Sequence, residues 1–138
     1  RSGDISRLDE LLGWSDFLVI TLPLTEETRG MIGSRELSLM KPNAVLINIG
    51  RGGIIDEGAL ITALEECRIA GACLDVYEQE PLPENSPLFN APNMLMTPHI
   101  AGNYPEYTID VIDLFADNFQ RYINNEELLN RVDPGKGY

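Results

Sequence analysis

The sequence predicts an α/β fold built on a parallel, doubly wound sheet, and three observations carry that expectation. Four short apolar runs have strand length: Phe17 to Leu22, Ala44 to Ile49, Ala70 to Val76 and Asn93 to Thr97. Longer segments separate them, two with helical character, so successive strands are joined by crossovers and run parallel. The run Ala44 to Ile49 is rich in β-branched residues and almost wholly apolar, the mark of a strand covered on both faces.

Each element has a local cause. Ser6-Arg7-Leu8-Asp9 resembles a capping box ahead of a short helix that ends near Gly13, and Asp16 leads into the first strand, which Pro23 stops. A loop from Leu24 to Gly30 precedes a short helical stretch around Ser34 to Met40, and the second strand follows. From Asp56 to about Arg68, Leu60, Ala63, Leu64 and Cys67 recur at helical spacing, with Asp56 placed to cap the helix. The third strand, Ala70 to Val76, carries small residues where a helix or backbone must come close. The proline-rich stretch from Glu80 to Pro92 reads as irregular, and Tyr104 to about Asn124 as a long helix. Thr108, Ile112, Phe115, Phe119 and Tyr122 form one stripe of that helix, widened by Val111, Leu114 and Ile123, which predicts burial against a neighbouring domain or subunit.

Composition narrows the classes of partner. The 138 residues give room for one domain. Ten basic against 22 acidic side chains leave a net charge of −12, which argues against nucleic acid and anionic membrane as partners. Only Lys41 and Lys136 are lysines; such a composition is that of an ordinary acidic cytosolic protein, with adaptation to high salt as the alternative. Cys67 and Cys73 lie on apolar stretches outside any Cys-x-x-Cys pattern and read as small core residues of a reducing, cytoplasmic compartment. No apolar run has the length of a membrane span, and no segment has a signal-peptide pattern. The opening Arg1-Ser2-Gly3-Asp4 has no initiating methionine, so the chain reads as a piece of something longer.

The segment after the second strand carries the first chemical signal. Gly50, Gly52 and Gly53 let the backbone turn sharply and approach a ligand closely, and Arg51 stands among them at the carboxyl end of a strand. Open α/β sheets bind ligands at that edge. A planar guanidinium there can grip a carboxylate or phosphate through two parallel hydrogen bonds, or it can tie down its own loop; the segment alone leaves both readings open. Asp75 ends the third strand, Glu80 follows in its loop, and His99, the only histidine, lies just past the fourth strand ahead of Ala101-Gly102. Parallel strands bring these positions to one edge, where Glu80 can partner His99 as an acid/base. Asp75 could equally pair with nearby backbone amides.

These residues stand in three ordered blocks. Met40 to Asp56 is similar to the Lys-Pro-x-x-x-hydrophobic-Asn-x-x-Arg-Gly-Gly-x-x-Asp block of the D-isomer-specific 2-hydroxyacid dehydrogenases. Asp75-Val76-Tyr77-Glu78-Gln79-Glu80-Pro81-Leu82 resembles that family's Asp-Val-Phe-x-x-Glu-Pro block, with tyrosine in place of phenylalanine, and Thr97 to Gly102 its histidine block. Leu22 to Thr25 and Thr28-Arg29-Gly30 resemble its cofactor loop.

The resemblance implies a Rossmann-like domain with NAD or NADP as cofactor and a small 2-keto or 2-hydroxy acid as substrate. It implies that Arg51 binds the substrate carboxylate, that His99 is the general acid/base held by Glu80, and that Asp75 positions the nicotinamide. Leu22, Pro23, Ile49, Gly50, Ala101 and Gly102 would line the cofactor cleft, alongside Arg51 and His99. The family's Gly-x-Gly-x-x-Gly turn and its first lobe have no counterpart here. Residues 1–103 are therefore expected to be the carboxyl-terminal half of the nucleotide-binding domain, and 104–138 a long helix and tail returning towards the substrate-binding lobe. The parent protein, a homodimer, would be the enzyme, and this chain alone would be inactive. A related corepressor branch, in which a dinucleotide controls assembly, offers a non-enzymatic alternative.

Overall fold

The computed structural model describes residues 4–135, so residues 1–3 and 136–138, Lys136 among them, lie outside the described residues. One compact unit ends at His99 and a second begins at Ile100. In the first, helix α1 (Leu8–Trp14) leads into strand β1 (Phe17–Ile20), followed by α2 (Ser34–Leu39), β2 (Val45–Asn48), α3 (Glu57–Glu65), β3 (Gly71–Leu74) and β4 (Met94–Met96). The strands form one sheet in the order β1-β2-β3-β4, every pair parallel, as the crossover pattern requires. All four strands are shorter than the apolar runs that announce them, because the terminal residues of each run turn into loops.

The pleat sorts the strand residues between two faces. Leu18, Leu46 and Ala72 are in register across one face, as are Ile20, Asn48 and Leu74, and all are buried. That face joins Leu12, Leu37, Ile54, Leu60 and Leu64 in the core. On the other face Phe17, Val19 and Leu95 are exposed, so within the unit ending at His99 the sheet is covered on one side only. The run Ala44 to Ile49 reads in the sequence as covered on both faces, and here Val45 and Ile47 on its second face are only half-buried.

Three local expectations need correction. Ser6 does not open a capping box: Asp4 caps a 3₁₀ turn at Ile5–Arg7 by accepting from the Ser6 amide at 2.9 Å, and the Ser6 hydroxyl is itself engaged by Asp4 at 2.5 Å. Arg7 takes the N-cap position of α1 without a side-chain cap bond, its guanidinium pairing instead with the Glu10 carboxylate in the first turn. Cys67 is exposed and Cys73 half-buried, so neither is a core residue. Cys67 sits at φ 54° where α3 ends, with its amide bonded to Leu64 O and the next amide to Ala63 O; this left-handed turn carries it off the buried face that Leu60, Ala63 and Leu64 do occupy. The glycines after β2 all avoid positive φ, and Gly50 and Gly52 lie close against the backbone of Leu22 and Tyr77.

Asp56 caps α3 as expected, its Oδ1 accepting from the Ala59 amide at 2.9 Å. Asp56→Ala is expected to cost about 1 kcal/mol, the usual worth of such a cap, as read by chemical denaturation. Asp56→Asn should recover most of it.

The second unit contains α4 (Tyr107–Ile123). Tyr104 packs edge-on against Tyr107 and donates to Asp110 at 2.6 Å ahead of and inside its first turn. After the helix, Asn118 holds the returning chain at Leu129 through both amide atoms. Ile112, Phe115, Phe119 and Tyr122 of the predicted stripe are exposed. No helix among the described residues is long and apolar enough to cross a membrane.

Candidate active site

The carboxyl ends of β1, β2, β3 and β4 carry the chemistry-bearing residues. Asn48, the last residue of β2, is fully buried and clamps the turn after it: its Oδ1 accepts from the Gly50 amide at 3.0 Å, and its Nδ2 donates to Arg51 O at 2.9 Å. A buried amide in an apolar strand has to find such partners. Gly50 lies against the Leu22 backbone, where a β-carbon would come within 2.8 Å of the carbonyl oxygen. Leu22, Pro23, Ile49 and Gly50 thus meet where the loops after β1 and β2 abut, with Leu22 and Ile49 exposed.

Arg51 is exposed and donates from Nη1 to Gly50 O at 2.7 Å. That bond ties down its own loop, and the Arg51 charge lies near enough to Glu80 to help lower that carboxyl's pKa.

Asp75, buried at the end of β3, accepts from the Thr97 hydroxyl at 2.5 Å, and its amide donates to Asn48 O in the sheet. Glu80 is held at both carboxylate oxygens. Oε1 accepts from the Tyr77 amide at 3.0 Å, and Oε2 lies 2.6 Å from His99 Nδ1. The hydrogen bond with His99, helped by the Tyr77 amide and the nearby Arg51 charge, holds Glu80 below the usual carboxylate range despite the opposing effect of burial. An ionised carboxylate only accepts, so His99 Nδ1 carries the hydrogen and Nε2 is the nitrogen that gains or loses a proton. The His99 side chain remains 47% exposed, which leaves the ring accessible to a substrate. Its backbone adopts φ 54°, a left-handed conformation uncommon outside glycine and found preferentially where structure around a site enforces it. Beside the pair lies a cavity of about 410 Å³ walled by Leu82, Phe89, Met96 and Pro98. Ala101 and Gly102 belong to the second unit, where both are exposed.

Sequence reasoning assigned no role to Asn48, Tyr77 or Thr97, although each secures a site residue. An amide inside an apolar strand and a hydroxyl one strand away from a buried aspartate were the available signals.

The sequence model for the D-isomer specific 2-hydroxyacid dehydrogenase NAD binding domain matches residues 2–101. The chain belongs to this family. It is 49% identical over 127 residues to a glyoxylate/hydroxypyruvate reductase B of Pectobacterium carotovorum, covering 92% of this chain and 40% of that protein. The chain thus spans about two fifths of the length of the curated relatives it matches. Among solved structures it is similar to a D-isomer specific 2-hydroxyacid dehydrogenase from Xanthobacter autotrophicus Py2 in complex with NADPH and MES, with a TM-score of 0.86 and 42% identity over 97% of this chain and 55% of that one. An NADPH-dependent glyoxylate/hydroxypyruvate reductase from Sinorhizobium meliloti, in complex with NADP and sulfate, gives a TM-score of 0.89 at 34% identity, covering 99% of this chain and 44% of that one. The fold is that of this dehydrogenase family, a parallel Rossmann-like sheet with flanking helices.

The side chains fit the nicotinamide end of such a cofactor. Exposed Leu22 and Ile49 offer apolar surface for a ring, and the buried Asp75 carboxylate suits a carboxamide N–H and a ring that is cationic when oxidised.

Proposed function

We propose that the full-length protein containing this chain reduces a small 2-keto acid to the D-2-hydroxy acid with NADH or NADPH, and that glyoxylate and hydroxypyruvate are its substrates. The observation that carries this reading is the Glu80–His99 pair at 2.6 Å, on the strand-end edge that also bears Arg51 and Asp75. The names of the relatives support the choice of substrate, and the solved neighbours support NADPH as well as NADH. None of these relatives favours the corepressor alternative.

The nicotinamide, when bound, supplies the hydride. Arg51 grips the substrate carboxylate with the N–H groups not used on Gly50 O and polarises the adjacent carbonyl. His99 places its Nε2 proton on the carbonyl oxygen as charge develops there, and Glu80 stabilises the imidazolium beforehand. Asp75 orients the nicotinamide, and Leu22, Pro23, Ile49 and Gly50 line the cleft and exclude water. The protein works as a cytoplasmic homodimer, and its −12 chain charge fits no nucleic-acid or membrane partner.

Arg51→Lys tests the substrate role. It keeps the charge and loses the planar fork, so the KM for glyoxylate should rise by about 10- to 100-fold, the worth of a charged hydrogen bond, with the KM for the cofactor nearly unchanged. Steady-state kinetics with each substrate varied in turn reads both. An unchanged glyoxylate KM would remove Arg51 from the substrate site.

A further inference from the structure

Tyr77 touches the segments that carry Arg51, Glu80 and His99, each time through a different group. Its amide donates to Glu80 Oε1 at 3.0 Å. Its hydroxyl lies 2.8 Å from Thr97 O, two residues before His99, and 3.1 Å from Leu74 O, which also accepts from the Thr97 amide at 3.0 Å. Its carbonyl packs on Gly52, next to Arg51, so tightly that a β-carbon on Gly52 would sit 1.9 Å from Tyr77 C. The Tyr77–Glu78 peptide is fixed from a further side by Glu57, whose Oε1 accepts from the Glu78 amide at 2.7 Å.

We propose that Tyr77 is a positioning residue for the acid–base pair: its hydroxyl anchors the segment leading to His99 while its amide aims Glu80, so that the two side chains meet at hydrogen-bonding distance. The inference rests on the reaction proposed above. It singles out this chain's tyrosine from the phenylalanine of the resembling family block, because only the hydroxyl can bond the Thr97 carbonyl.

Glu80 and His99 are 19 positions apart and are carried on irregular segments after different strands, so neither segment fixes the distance between them. A phenol is well suited to bridging the two, since it is rigid beyond two torsions and buried here to 8% exposure. Burial, reinforced by the Asp75 charge, pushes the Tyr77 phenol pKa up, so the hydroxyl keeps its proton and donates throughout the working range. The Thr97 carbonyl is the closer of its two acceptors, and Thr97 in turn holds Asp75.

Tyr77→Phe in the full-length protein tests this, since it keeps the ring and removes only the hydroxyl. The expected result is a fall in kcat for glyoxylate reduction of between about twofold and tenfold, the net worth of one hydrogen bond, with the KM for the cofactor unchanged. The deciding measurement is a double-mutant cycle with Glu80→Gln: a residue acting through the pair should have its effect shrink to less than about twofold once the Glu80 charge is gone. A fall in kcat that stays the same size in both backgrounds, or a Tyr77→Phe enzyme as fast as wild type, overturns the positioning role and leaves the proposed reaction standing. A wild-type protein that reduces no 2-keto acid with either cofactor overturns both.

Discussion

Replacing His99 with alanine is expected to lower kcat for 2-keto-acid reduction by about 10²–10⁴-fold, the contribution typical of a positioned general acid. The loss should fall on kcat, because the proton is needed when the carbonyl oxygen gains charge, and the cofactor KM should hold. Glu80→Gln should behave differently. It keeps an acceptor for His99 Nδ1 and removes only the charge of a carboxyl whose pKa is held down chiefly by the His99 hydrogen bond, so kcat should fall by less than in His99→Ala. Steady-state kinetics of wild type and both variants check the pair together. A His99→Ala enzyme at wild-type speed, or a Glu80→Gln enzyme indistinguishable from wild type, would refute the assignment.

Gly52→Ala is expected to be the most damaging single-methyl change in the chain. The added β-carbon would lie 1.9 Å from Tyr77 C, 2.0 Å from Tyr77 O and 2.5 Å from Glu78 N, all backbone atoms with no rotamer through which to yield. One of the two segments has to move, at a cost of about 3 kcal/mol or more, at the upper end for overpacking. Activity should suffer along with stability, since Arg51 is on one segment and Glu80 on the other. Gly53→Ala is the control: its β-carbon would meet only the ends of the Arg29 and Leu24 side chains at 3.3 Å, and these can swing away. Denaturant unfolding of the two variants separates the cases, and equal midpoints would contradict the packing described.

The parts of this protein that follow from period and punctuation were legible in the sequence. Strands separated by helices gave the parallel sheet, Asp56 gave the start of α3, and the blocks around Arg51, Glu80 and His99 gave the residues that the sheet edge gathers. What was illegible depends on contacts between distant positions. Nothing local to Asp75-Val76-Tyr77 reveals that its phenol reaches Thr97, 20 residues on. That Gly50 and Gly52 also accommodate the backbone of Leu22 and Tyr77 was equally hidden, since those contacts span the sheet edge. At the first helix, competition between Asp4 and Ser6 for the same cap was resolved by reach, since the carboxylate two positions earlier takes both the amide and the hydroxyl of Ser6. Cys67 shares the helical spacing of its neighbours and leaves the core only because the chain turns left-handed there.

The contact of Gly52 with the Tyr77 carbonyl also has a genetic consequence. Any base change in a glycine codon that alters the amino acid introduces a β-carbon, so position 52 has no neighbouring allele that spares the contact. A saturation library read out by function should show a column of uniform loss there. Gly102, around which nothing lies within 4 Å of a β-carbon, should show no loss from that cause. Drift at position 52 would require the opposing Tyr77–Glu78 peptide to move first, and that peptide is already held by Glu57. The two segments are therefore expected to be inherited as a matched set and to resist exchange one at a time between homologous genes.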